Sequence, residues 1–383
     1  MHRRQTPKRG DGRSTRRAPR AGARARGARR APGSGARVTA HPPTPPPGDA
    51  RSGPAITALG GGHGLYATLS AVRRLTDRVT AVVTVADDGG SSGRLRAELG
   101  VIPPGDLRMA LAALAADTPD IRVWTEVVQH RFGGTGALAG HSVGNMILAG
   151  LTEVVGDPVE ALDMLAKVLG LRGRVLPMSP IALDIEADVS GLETDPRVSR
   201  CIRGQVAVAT TPGKVRRVRL IPADPPACPL AVDAVCEADM VVLGPGSWFS
   251  SVIPHVLVPE LHEALTHTSA TKVLVLNLAA EPGETAGFSA ERHLHVLAQH
   301  APDFRVDHIV VDAGSVTPGR ERDHLSRAAS HLGADVSYAD VSEDGTQRHD
   351  PAKLAVALET YLSPIRGSAR AGIGDRREII SWQ

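Results

Sequence analysis

From residue 55 onward the chain reads as short apolar runs separated by amphipathic stretches. The runs at 56–59, 79–85, 240–243, 272–276 and 308–311 are almost wholly hydrophobic and stop at or near Gly, Asp or Asn. Strands buried on both faces of a parallel sheet look like this. Apolar residues recur at helical spacing over 65–75, 107–115, 143–155, 158–169, 260–265, 290–299 and 351–361, which predicts helices there. Between 174 and 222 the period changes: residues 182–189 and 215–221 alternate apolar and polar, as half-exposed antiparallel strands do. The expectation is an α/β fold over 55–364, a wound, mainly parallel, Rossmann-like sheet carrying an antiparallel β insertion at about 174–222.

Composition divides the chain further. Its 383 residues and 42% hydrophobic content suffice for a large core. The net charge of +3 averages two unlike parts, because the first 52 residues hold 14 Arg or Lys against Asp11 and Asp49. That head carries +12 and leaves −9 for the rest. Residues 1–54 have no apolar periodicity and read as a disordered tail, or as sequence upstream of a true start at Val38. Their one functional prospect is charge attraction to nucleic acid or anionic surfaces. An acidic remainder with 3% aromatic residues overall is unsuited to nucleic acid. Residues 365–383 read as a second loose tail. Cys201, Cys228 and Cys236 are odd in number and lack metal-ligand or CxxC spacing, as in a reducing compartment. No signal-like or membrane-length apolar run is present, so the chain is expected in the cytoplasm and off the membrane.

The chemistry gathers where strands end. The first strand runs into Gly60, Gly61, Gly62, His63 and Gly64 and then directly into a helix, so backbone amides can approach an anion at the helix's positive end. Gly62, Gly64 and Ala67 also fit a dinucleotide fingerprint, with an acid after the next strand, which keeps a nicotinamide oxidoreductase in view. After the second strand come Asp87, Asp88, Gly89, Gly90, Ser91, Ser92, Gly93 and Arg94. The glycines allow an anion nest, the serines add donors and Arg94 can clamp a phosphate. Asp87 and Asp88 would repel that phosphate, so they suit a ribose diol or a divalent cation.

Three further clusters follow. In Pro104-Gly105-Asp106-Leu107-Arg108, Asp106 reads as an N-cap, while Arg108 opposes the helix dipole and calls for an anionic partner. His141, Ser142 and Asn145 make a polar start to an apolar helix, with Asn145 able to read a base or sugar edge. Gly244, Pro245, Gly246 and Ser247 repeat the strand, glycine turn and hydroxyl theme, and Asn277 with Pro282-Gly283-Glu284-Thr285 follows the next strand. Loops after parallel strands converge on one crevice. No nucleophile-elbow spacing, HExxH motif, P-loop lysine or CxxC pair is read from the chain, which removes the usual support for hydrolase, zinc-enzyme, ATPase and redox readings.

These segments, from Gly60 through the Asp87–Arg94 loop, Gly105-Asp106-Leu107-Arg108 and His141 to Asn145, on to Gly244-Pro245-Gly246-Ser247 and Ser251-Val252-Ile253-Pro254, resemble the YvcK or gluconeogenesis-factor family and its relative, the CofD phospholactate transferases. The resemblance spans roughly residues 56–361. It implies a wound α/β fold that binds UDP-N-acetylglucosamine, needs no cofactor for binding, and regulates cell shape and peptidoglycan synthesis under gluconeogenic growth. Its partners would be cell-wall-synthesis proteins and a second copy in a homodimer. The CofD branch instead implies magnesium, held at Asp87 and Asp88, and transfer of a phosphoester-linked unit from a guanosine-diphosphate donor to a deazaflavin precursor. The lysine that transferases carry after the first glycine loop is absent after His63-Gly64-Leu65, and the Thr-Gln usual before Pro-Gly-Glu-Thr is replaced by Ala-Glu.

Overall fold

A computed structural model describes residues 53–195, 197–281 and 283–362. The basic head, apart from residues 53 and 54, the tail at 365–383 and Pro282 lie outside the described residues.

Seven strands form one all-parallel sheet: β1 (Ile56–Gly60), β2 (Val79–Val83), β3 (Arg174–Pro177), β7 (Met240–Leu243), β8 (Thr271–Val275), β9 (His308–Asp312) and β10 (Asp335–Ala339). Their order is β10-β9-β8-β7-β1-β2-β3. Every residue of β1 and β7 is buried, as expected for central strands covered by helices on both faces. Chain order reverses across β1: the chain steps outward through β2 and β3, then returns to β1's other side as β7. Ligands bind at such a switch point, outside the carboxyl ends of the strands. The remaining strands, β4 (Asp184–Ser190), β5 (Ser199–Arg203) and β6 (Lys214–Ile221), form a separate antiparallel sheet ordered β5-β4-β6.

The α/β class and the β insertion are therefore as the sequence implies, with one boundary moved. Arg174–Pro177 pairs in parallel with β2 at the edge of the main sheet, so the antiparallel insertion starts at β4. Arg174 and Pro177 interrupt the apolar pair Val175-Leu176 and disguise a buried strand as an alternating one. β10 has no fully buried residue and carries no apolar run by which to find it. The helices Gly90–Leu99, Pro119–Gln129, Pro229–Cys236 and Arg320–His331 are not among those expected: Gly90–Leu99 is too polar to show a pattern, whereas Pro119–Gln129 carries apolar residues at helical spacing, at 121, 124, 127 and 128, a signal the sequence reading missed. No described helix is long and apolar enough to cross a membrane.

Candidate ligand-binding site

The first helix, Gly62–Val72, begins one residue after β1, with Gly61 extended at its N-cap and Gly62 at φ 57°. Its amides therefore open at the switch point, as the glycine loop implies. The fit is tight: a Cβ at Gly64 would be driven into the Pro245 carbonyl, and one at Gly61 would lie 2.6 Å from Asp106 Oδ2. Across β1 the turn after β7 is locked from two sides. Thr68 Oγ1 donates to the Gly244 carbonyl at 2.8 Å. Asn277 accepts from the Gly246 amide at 2.8 Å and donates back to its carbonyl at 2.9 Å. Ser247 shares a hydrogen bond with Ser250 and donates to Glu284 Oε1 at 2.7 Å. Burial first, and then the charge of Glu281, push the Glu284 carboxyl up to about 7 against the donors from Ser247 and the backbone.

Between these loops and the segment after β10 lies a cavity of about 450 Å³. His63, Tyr66, Gly246, Asn277, Leu278 and Arg348 are among its walls. Tyr66 is partly exposed on the first helix, an aromatic face against which a planar ring can stack. Arg348 lies outside the motifs singled out in the sequence, while Tyr66 falls within the Gly62 to Ala67 stretch without having been given a role of its own.

On the other side of β1 the loop after β2 is built differently from the nest expected of it. Gly89 is extended and Gly90, at φ 49°, starts the helix Gly90–Leu99. Gly93 lies inside that helix, where it lets the backbone of Asp88 approach. Ser91 and Ser92 are buried rather than presented to solvent. Ser91 Oγ accepts from Asn145 Nδ2 at 3.1 Å and from the Ser142 amide at 3.3 Å. Its own proton is left for His141 Nδ1, 3.1 Å away. Asn145 in turn accepts from Arg108 Nε at 2.8 Å. Thus Ser91, Arg108, His141, Ser142 and Asn145, distant in sequence, form one network.

The two aspartates part company. Asp88 Oδ1 accepts the Val206 amide at 2.9 Å, at the start of the short helix Gln205–Ala209 in the insertion. Asp87 turns the other way: Oδ1 accepts the Gly89 amide at 2.9 Å, and Oδ2 is beside Gly105. The acid facing Asp87 is Asp106, whose carboxyl is raised to about 7 by burial, then by the Asp87 charge. Asp106 is not the N-cap expected of it, since Pro104 holds that position. Asp87 therefore lies where its charge acts on Asp106, while Asp88 is turned toward the insertion. Among the described residues no group of three or more His, Cys, Asp or Glu side chains could hold a metal by itself.

Arg108 is 7% exposed, and burial followed by the charge of Arg131 lowers its guanidinium to about 10. Arg94 Nη2 donates to the Ala139 carbonyl at 2.7 Å, and Arg131 Nη1 donates to the adjoining carbonyl of Gly140. Arg131 has no motif around it to mark it in the sequence. The expected absence of a nucleophile-elbow spacing is corrected, because G-x-S-x-G occurs at Ser91 (Gly89 to Gly93) and again at Ser142 (Gly140 to Gly144). Neither forms a nucleophile elbow, which needs a hydroxyl exposed on a strand-to-helix turn: Ser91 is 3% and Ser142 0% exposed.

A wound parallel sheet with its glycine turns meeting at β1 and an acid pair beside them defines a CofD-type α/β protein. Residues 56–349 match the family described as 2-phospho-L-lactate transferase CofD. The "Putative gluconeogenesis factor" of Mycobacterium tuberculosis is 67% identical over 324 residues, covering 85% of this chain and 95% of that one. The "Gluconeogenesis factor" of Bacillus subtilis is 36% identical over 283 residues, covering 74% and 86%. The crystal structure of a UPF0052 family member from Bacillus halodurans matches with a TM-score of 0.71 at 33% identity, covering 80% of this chain and 99% of that one. The chain belongs to the CofD family, in its gluconeogenesis-factor, YvcK-type branch.

Proposed function

We propose that this protein is a cytoplasmic regulator that binds UDP-N-acetylglucosamine in the crevice between β1 and β8 and governs peptidoglycan synthesis and cell shape during gluconeogenic growth. The observation that carries this reading is the cavity of about 450 Å³ at the switch point, open to the amides of the Gly62–Val72 helix. In this arrangement the diphosphate meets those amides and Arg348, the uracil stacks on Tyr66, and Asn277 with the Gly244–Ser247 turn borders the sugar. No cofactor is needed for binding, and the signal passes to cell-wall-synthesis proteins, with a homodimer as the working form. Isothermal titration calorimetry with UDP-N-acetylglucosamine tests it: saturable binding that weakens on Arg348→Gln supports the reading, and no heat at about millimolar ligand refutes it.

The Asp87–Asp106 pair favours a second reading, transfer of a phosphoester-linked unit to a deazaflavin precursor. Two neighbouring acids, one raised by burial and then by the other's charge, fit a magnesium ion that completes its shell with water and substrate phosphates. Bound there, magnesium would neutralise charge on a phosphoryl group. Product formed from a deazaflavin acceptor and an activated guanosine-diphosphate donor, and lost on Asp106→Asn, would establish this activity.

A further inference from the structure

A buried cation is costly unless it is paired, and Arg108 is buried with no carboxylate in direct contact, only the more distant charge of Asp106. No described acidic group lies within ion-pairing distance of it; its one side-chain partner is the neutral carbonyl oxygen of Asn145, at 2.8 Å. Asp106, two residues earlier, is committed to the Gly61-Gly62 turn. Two more guanidiniums flank the same place, Arg94 and Arg131, again on backbone carbonyls rather than acids. Arg131 is paired by an isolated antiparallel bridge with Ser142. The Ser142 hydroxyl is wholly buried and has no partner. Three guanidiniums with no carboxylate in contact and an unsatisfied buried hydroxyl thus surround the start of the Val143–Val155 helix.

We infer that Arg108, Arg131, Arg94 and Ser142 form a binding site for a phosphoryl group that is separate from the crevice between β1 and β8. Sheet order separates the two: the crevice opens on the β7 and β8 side of β1, whereas Arg94 follows β2 and Arg108 belongs to the helix after it. Arg108 supplies the desolvated charge and Arg131 and Arg94 close over it, each able to exchange a carbonyl for a phosphate oxygen, a stronger acceptor. The chemical class is a phosphate or diphosphate ester other than the ligand in the crevice. This assignment does not depend on what fills the crevice.

The full chain is titrated with inorganic pyrophosphate, alone and with saturating UDP-N-acetylglucosamine. Expected are saturable binding, a loss of about 10-fold in Arg108→Gln and about 3-fold in Arg131→Gln, and no change in the distant Arg327→Gln. If Arg108→Gln fails to fold, the exposed Arg131→Gln decides. Unchanged pyrophosphate affinity with the nucleotide sugar present supports two sites. Competitive displacement would make these arginines the nucleotide's own phosphate clamp and overturn the separate site. Absence of binding at about 10 mM, or an equal loss in Arg327→Gln, overturns it outright. A protein that binds pyrophosphate as expected but no nucleotide sugar would refute only the proposed crevice ligand.

Discussion

The two flanks of β1 are built by opposite means. On the β7 and β8 side, backbone turns pack against one another and enclose an open cavity, so that shape is specified by glycines and by Asn277 bracing Gly246. On the β2 side a chain of side-chain hydrogen bonds from Arg108 through Asn145 to Ser91 and His141 specifies charge. The first flank selects a ligand by what fits. The second selects by what neutralises, and it forfeits stability until something does.

That contrast can be broken from either side. The largest effect belongs to Gly64→Ala, whose methyl group would enter the Pro245 carbonyl; a loss of about 3 kcal/mol in urea unfolding is expected, and a neutral outcome would mean that the turns do not fix the crevice. Glu284 supplies a test by pH. Its carboxyl titrates near 7 when folded against 4.5 ordinarily, so the native state holds a proton that the unfolded chain has released. Its contribution is fully present below the unfolded value and is lost as pH rises through 7, on the order of 3 kcal/mol in all. Glu284→Gln should flatten that slope in denaturation at pH 5 to 8. On the other flank, Asn145→Ala strands Arg108 Nε and removes a donor from the Ser91 and Ser92 hydroxyls, for about 2 kcal/mol by the same urea measurement. The smallest change in stability, under about 0.5 kcal/mol, is expected of Tyr66→Ala, although nucleotide-sugar affinity should fall about 10-fold by calorimetry. Equal affinity would remove the stacking role.

The fold was legible because β1, β2, β7, β8 and β9 are buried apolar runs punctuated by turn residues, and such runs have few other destinations. The site was legible where backbone chemistry made it, at Gly60–Gly64 and Gly244–Ser247, since a glycine cluster after a strand has a local meaning. It was illegible where meaning is relational. Asp106 resembles a helix cap until Asp87 is seen beside it, and Asp88 resembles a ligand until the Val206 amide is found 118 residues away. Arg131 stands in unremarkable sequence, and only the packing of distant elements gives it neighbours.

The placement of β1 has a consequence for how the protein is made. The Ala55 amide at its root is held by Asp239, 184 residues downstream, and β7 follows at once. Until the ribosome has delivered that strand, one side of β1 presents unpaired amides and carbonyls, a template for another chain. The crevice is therefore among the last parts of the molecule to exist during synthesis. A polypeptide halted before β7 would keep the Arg108–Asn145 flank's residues while lacking half of the binding site, and contacts of such long range close slowly.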